Sequence, residues 1–351
     1  MLELYAMWAA LPTLVSRLGR RPATWRAMFW FAVLGVATVC ALQDVATNKD
    51  REVYGFFISA IEEDDAFTME PGFYLLVRLL GLVLAGPTLN AAFFFVVAAV
   101  SLAIKLRLFK RYGGSMFGCL AAFFSYFFLL HEITQVRTGL AIGLLYLSWF
   151  AFADGHRKHF WYYGIAASMF HVSCVLFVVA PLLLSLNDNR RWALNVALIS
   201  TLAATSVLAG TLMLGALDSV ASSLGVERLS LYLELLHDGV LSDITPLRLA
   251  PHALLLAAAA YTWQGWKRDR LTRFVVQTHL YGMLIFVLLS PIPALAYRVS
   301  DLFLFAGVFV VGRLRRHFPR DIYYPLVVAY TAVFIVYTIQ FSGLFMFDGA
   351  L

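Results

Sequence analysis

The sequence predicts an all-α polytopic integral membrane protein of about 10–12 transmembrane helices, and three observations predict it. Of its 351 residues 61% are hydrophobic and only 14% are charged. Mean hydropathy is +0.78, more apolar surface than a soluble core can use. The apolar runs, 91–100 for example, do not alternate with polar residues, which excludes a transmembrane barrel built from alternating segments of about 10 residues.

The elements follow in order. The stretch near 2–15 carries Glu3 with no basic residue before it, so no cleavable signal is expected there. A run at 27–44 is followed by the acidic stretch 46–70. Gly86-Pro87 then divides the next apolar sequence into 72–85 and 88–104. As a helix, 72–85 reaches about 21 Å, short of the roughly 30 Å hydrocarbon core, and is expected to be re-entrant or interfacial. Segments 116–131 and 133–153 come next; Gly139 and Gly143 in the second have the GxxxG spacing of close helix packing. Both 160–185 and 193–216 are long enough to span, which leaves the topology there open. Segments 248–264, 274–296, 299–312 and 322–346 complete the chain.

Orientation follows from loop cations. The clusters Arg17/Arg20/Arg21/Arg26, Lys105/Arg107/Lys110/Arg111, Arg157/Lys158, Lys267/Arg268/Arg270/Arg273 and Arg313/Arg315/Arg316/Arg320 hold most of the Lys and Arg and mark the cytoplasmic side. The stretches 46–70 and 217–247 are rich in acids and are expected to face outward. With no internal repeat or linker, residues 1–351 read as a single membrane domain.

Several chemistries are disfavoured. There is no GxxxxGK[ST] loop, no HExxH and no GxSxG elbow, which disfavours ATP hydrolysis and zinc proteolysis. Cys40, Cys119 and Cys174 are odd in number, lie in apolar stretches and form no CxxC; they read as small core residues. No metal or cofactor is implied. The net charge of +6 is topological, and no nucleic-acid partner is expected.

Ionisable residues that lipid should penalise are the informative ones. Arg78 stands alone in its apolar segment. Arg137 opens an apolar helix just after His131 and Glu132, His171 lies within 160–185, and Arg298 comes three residues before Asp301. Each also has a structural reading: Arg137 paired with Glu132, Arg298 with Asp301, His171 as a satisfied interior histidine. Glu62-Glu63-Asp64-Asp65 reads as a solvated charge run. Asp50 lies one helical turn before Tyr54, and Glu70 directly precedes Pro71, where helix capping alone would explain it. Arginines gathered on one side of the membrane beside an acidic stretch suit an anionic headgroup, since guanidinium groups bind phosphate in bidentate fashion. Trp161-Tyr162-Tyr163 and Tyr323-Tyr324 read as interface anchors, and Trp30 as packing.

Taken in order, Asp50 with Tyr54 and Phe57, Glu70-Pro71-Gly72-Phe73, Arg137 with Gly139-Leu140-Ala141 and Ser148, Phe170-His171-Val172-Ser173 and the late Arg298 resemble the EpsG-like branch of Wzy-type polysaccharide polymerases. The resemblance implies a multi-pass glycosyltransferase of the bacterial cytoplasmic (inner) membrane, broadly GT-C-like. Such an enzyme joins repeat units of O-antigen, capsule or exopolysaccharide on the outer face. Its donor and acceptor are undecaprenyl-pyrophosphate-linked glycans, with a chain-length regulator as a possible partner. It further implies that Arg78, Arg137 and Arg298 bind pyrophosphate, that Glu70 or Asp50 is the base, and that His171 orients substrate. A flippase for lipid-linked saccharide would also want intramembrane arginines, and an O-antigen ligase would need the same pyrophosphate clamp.

Overall fold

The computed structural model describes residues 22–43, 49–63, 70–181, 197, 200–205 and 248–340. In chain order its main helices are α1 (Pro22–Leu42), α2 (Lys49–Glu62), α3 (Pro71–Gly81), α4 (Gly86–Tyr112), α5 (Met116–Ala122), α6 (Val136–Ala153), α7 (Arg157–Phe170), α8 (Leu249–Tyr261), α9 (Arg270–Leu288), α10 (Pro293–Leu304), α11 (Ala306–Leu314) and α12 (Arg320–Gln340). Among the described residues, five helical stretches are long and apolar enough to cross a membrane: Gly86–Tyr112, Val136–Ala153, Arg270–Leu288, Leu295–Leu314 and Arg320–Thr338. The protein is therefore an all-α polytopic membrane protein. The expected segment 2–15, most of 193–216 and the stretch 217–247 lie outside the described residues. The chain gathers into two units, residues 1–180 with 308–351 and residues 181–307.

In the first unit α1 packs along α4. Arg51, in the first turn of α2, donates to Cys40 O at 2.7 Å and Ala41 O at 2.5 Å, satisfying carbonyls that the end of α1 leaves without intrahelical partners. Glu62 is not merely a solvated charge, because its Oε1 accepts from Gly86 N at 2.9 Å and closes the start of α4. Between these two anchors lies α3, opened by Pro71 at its first position. With 11 residues it is about 16 Å long, the short helix that the 72–85 segment predicts.

The segment expected as a plain helix at 116–131 is α5 followed by two π-helical stretches, Phe123–Phe127 and Leu129–Thr134. Side-chain hydroxyls take backbone carbonyls here: Ser125 Oγ donates to Ala122 O at 2.9 Å, and Thr134 Oγ1 to Leu129 O at 2.7 Å and Leu130 O at 2.8 Å. The crowded rings of Phe123, Phe124 and Phe128 accompany the widening. Glu132 in the second stretch pairs with Lys105 of α4 and accepts from Ser101 Oγ at 3.1 Å. Lys105 is fully buried, so it does not belong to the cytoplasmic cluster in which its sequence neighbours place it.

The segment 160–185 is not a single crossing. α7 ends at Phe170, His171 adopts extended backbone, and Val172–Val179 returns as a 3₁₀ helix. Phe177 lies against Phe160 and Trp161 near the start of α7, with ring centroids 5.3 and 5.5 Å away, and its carbonyl accepts from Trp149 Nε1 at 3.0 Å. Hydropathy cannot register this reversal, because both arms are apolar. Arginine 313 departs from expectation as well: it is buried and donates to Tyr112 O at 2.8 Å, at the end of α4. Tyr323 is likewise no interface anchor but is buried with its hydroxyl on Val311 O, whereas Trp30 is half-exposed. The three cysteines are buried core residues, as predicted.

In the second unit α9 starts at Asp269, whose Oδ1 accepts from Leu271 N at 3.1 Å and Thr272 N at 3.3 Å. Arg248, just before α8, forms a buried ion pair with Asp301 of α10, its guanidinium 4.5 Å from the Tyr297 ring centroid. Asp301 is thus not the partner of Arg298. The rings of His252 and His279 lie 4.9 Å apart between α8 and α9.

Breaking the Lys105–Glu132 pair on one side strands a buried charge. Glu132→Ala is expected to destabilise the protein by about 3–5 kcal/mol, and Lys105→Met with Glu132→Leu to recover most of that loss. Unfolding midpoints in detergent of the single and double variants check it.

Candidate functional site

The site forms where α3 begins. Tyr54, Phe73, Phe93 and Phe94 build an aromatic floor from α2, α3 and α4, with Tyr54 and Phe73 stacked at 6.1 Å and Phe73 edge-on to Phe93 at 4.9 Å. Val136 and Leu140 of α6 pack into the same cluster, which brings Arg137 to its rim. The Arg137 guanidinium lies 5.7 Å from the Tyr54 ring centroid and 5.9 Å from that of Phe73. Its Nη1 donates to Glu70 Oε2. This ion pair is only partly buried, with 21% of the Arg137 and 17% of the Glu70 side-chain surface exposed.

Two close backbone approaches make the meeting possible. A Cβ on Gly139 would collide with the His131 carbonyl, so the absence of a side chain lets α6 lie against the π-helical turn that precedes it. A Cβ on Gly72 would come within 2.9 Å of Met169 O, so α3 begins directly against the last turn of α7. Gly143 similarly faces Ile104 of α4, which bears out the packing reading of the GxxxG.

Glu70 occupies the N-cap position of α3 yet makes no side-chain cap. Capping therefore does not account for it; the Arg137 pair does. Arg137 pairs with Glu70 rather than with Glu132, which is held by Lys105. His171 is buried at the tip of the α7 hairpin, two residues beyond the Met169 that touches Gly72. Asp50 lies in the first turn of α2, one turn before Tyr54. Arg78 is exposed on α3, and its Nε donates to Tyr74 Oη at 3.1 Å. The structure thus joins Glu70 and Arg137 and places Arg78 on another face of α3. Arg298 is an exposed residue of α10 in the second unit.

Sequence reasoning passed over Arg51, Lys105 and Arg248. Arg51 and Lys105 were legible only as loop charges, although Lys105 follows 26 residues without a charge, 79–104, the one available signal of its burial.

The Glu70–Arg137 pair also has a defined level in the fold. Asp154 accepts from Arg111 Nη2 at 2.8 Å and Tyr112 Oη at 2.6 Å, so the ends of α4 and α6 meet where Arg107, Lys110, Arg157 and Lys158 cluster. Arg137 is at the opposite end of α6, about 24 Å away along its axis.

Fold and site together define a helical membrane protein that presents a guanidinium–carboxylate pair at the end remote from its basic face. The chain belongs to the EpsG family, whose model matches residues 26–348, and this makes it a membrane protein of the polysaccharide-polymerase type. No curated protein and no solved structure matches it.

If the Gly72 contact holds α3 on α7, Gly72→Val is expected to destabilise the protein by about 1–3 kcal/mol, with Gly72→Ala losing less. Thermal unfolding of the two variants in detergent tests this.

Proposed function

We propose that the protein is a glycosyltransferase that polymerises undecaprenyl-pyrophosphate-linked oligosaccharide units on the outer face of the bacterial cytoplasmic membrane. The observation that carries the reading is the partly buried Glu70–Arg137 pair, with a fixed cation and a carboxylate side by side at the end of α6 remote from the basic clusters. The positive-inside rule assigns that end to the outer side, where no nucleotide sugar is required.

In the reaction an acceptor hydroxyl oxygen attacks the anomeric carbon of the donor glycan. The bond from that carbon to the pyrophosphate oxygen breaks, its electron pair leaves with the phosphate, and the hydroxyl proton passes to a carboxylate. Arg137 offsets the charge that grows on the leaving group, and its ring contacts with Tyr54 and Phe73 keep the guanidinium in place as that charge develops. Glu70, beside Arg137, would receive that proton in this reading; Asp50 is the alternative on α2. His171, at the hairpin tip, orients substrate. Arg78 supplies a further anion contact. A chain-length regulator would act on this enzyme from outside the chain.

The test is the glycan ladder on a gel from cells lacking this gene and complemented with wild type, Arg137→Ala or Glu70→Ala at matched protein levels. Deletion is expected to collapse the ladder to single-repeat products, and each variant to lower polymerisation by about a hundredfold or more. Full ladders from both variants would sink the assignment. Loss of every surface product, single repeats included, with lipid-linked units accumulating inside, would make the protein a transporter instead.

A further inference from the structure

Ser101, Lys105 and Glu132 form a buried cluster that the transfer step does not use. Lys105 Nζ and Ser101 Oγ, one turn apart on α4, both donate to the same Glu132 oxygen, Oε1, and all three residues are fully buried. The Lys105 ammonium also lies 5.5 Å from the ring centroid of Phe123, the first residue of the π-helical segment whose far end carries Glu132. A single α4 side chain therefore touches that segment near both of its ends.

Stability is a weak reason for such a cluster, because a well-packed apolar pair of similar volume often stabilises as much as a buried ion pair. What the ion pair adds is register, since it is satisfied by one placement of its two helices. The segment it holds has a register to choose. π-Helical winding is rare and competes with α-helical winding of the same residues, in which a slip of one residue rotates everything beyond it by about 100°. Arg137 is what lies beyond. Gln135 separates the π-helical winding from α6 with φ −99° and ψ 57°. The junction is tightly bonded all the same: Gln135 N donates to Leu130 O at 2.7 Å, and Gly139 N to Gln135 O at 2.9 Å. Gly139 also rests on the carbonyl of His131, the residue before Glu132, so the turn that carries Arg137 is seated on the residues that the cluster fixes.

We propose that Lys105 and Glu132 are positioning residues for Arg137: by holding the π-helical winding in one register, they set the height and rotation at which Arg137 meets Glu70. The effect on rate rests on the transfer reaction proposed above; the effect on where Arg137 stands does not.

The test separates position from stability. Full-length protein with Lys105→Met and Glu132→Leu, the apolar pair expected to regain stability, is compared with wild type and with the exchanged pair, Lys105→Glu with Glu132→Lys, which reverses the ion pair. For transfer of a polyprenyl-pyrophosphate-linked oligosaccharide, the apolar pair is expected to lower kcat about tenfold or more with KM within about twofold, because a displaced Arg137 fails when charge develops. The exchanged pair is expected to regain most of that rate. Position is read without activity by adding Arg137→Cys to each background and timing maleimide labelling in detergent, the native cysteines being buried. The apolar pair is expected to change the labelling rate about twofold or more, and the exchanged pair to return it. An unchanged labelling rate overturns the proposal. So does an apolar pair with wild-type kcat, or an exchanged pair that folds and restores neither rate. If the apolar pair does not fold, Ser101→Ala, which keeps the ion pair and removes one hydrogen bond, is read in the same two ways, and wild-type values in both overturn the proposal. The outcomes separate from those of the transfer reaction. A full ladder from Arg137→Ala removes the reaction and leaves the labelling result standing; a ladder lost with Arg137→Ala beside unaltered kcat and labelling in the apolar pair keeps the reaction and removes the positioning role.

Discussion

A cation buried among apolar helices must be neutralised where it sits, and the described structure is tied together by the ways in which that is done. Four cations are buried among the described residues: Arg51, Lys105, Arg248 and Arg313. Lys105 and Arg248 meet carboxylates, Glu132 and Asp301. Arg51 and Arg313 instead meet the carbonyls at helix ends, those of α1 and α4, where the helix dipole concentrates negative charge. Each solution joins two elements that are distant in sequence. Lys105 fastens α4 to the π-helical turn, Arg51 fastens α2 to α1, Arg248 fastens the start of α8 to α10, and Arg313 fastens α11 to α4. In this fold, buried charges decide which helices are neighbours as much as apolar packing does, because an unpaired partner in such surroundings costs several kcal/mol.

The Glu70–Arg137 pair obeys the same constraint with a different result. It is a guanidinium and a carboxylate from separate helices, set on an aromatic floor, but it remains partly exposed while Lys105–Glu132 is sealed. A sealed pair can only hold helices together. A partly open one is what the proposed transfer needs, since an anionic substrate would reach its groups on a support that needs little reorganisation when charge develops. The sealed pair serves the open one, because the π-helical stretch fixed by Glu132 runs directly into α6, and the His131 carbonyl in that stretch is the surface on which Gly139 rests.

Much of this was legible in the sequence where the governing quantity is one-dimensional. Apolar run length marks the crossings at 88–104 and 133–153, and the shortness of 72–85 marks α3. Lone arginines in apolar runs single out Arg78 and Arg137, of which the structure joins Arg137 to Glu70 and leaves Arg78 exposed on α3. Partners were not legible, because pairing depends on how helices rotate and how deep they sit. The nearest acid in sequence was the wrong choice twice: Arg137 passes over Glu132 for Glu70, 67 residues away, and Asp301 takes Arg248, 53 residues away, rather than Arg298. Depth also misplaced Lys105, whose cationic neighbours at Arg107, Lys110 and Arg111 are loop-like by composition although its own side chain reaches back into the core.

The reversal at His171 shows why such misreadings gather near the site. A continuous crossing from 160 to 185 would carry the chain past the level of Glu70. Instead α7 stops at Phe170, and its last turn supplies the Met169 backbone against which α3 begins. α3 is itself too short to cross, and the 3₁₀ arm is held back along α7 by Phe177. Elements that end partway leave termini and polar side chains at one level, where full-length helices would present only apolar flanks. Hydropathy extends each such element to a full crossing, because it measures the chain's apolar character and is blind to where the backbone turns. The same incomplete elements join Glu70 and Arg137 at the start of α3 and leave Arg78 exposed along it.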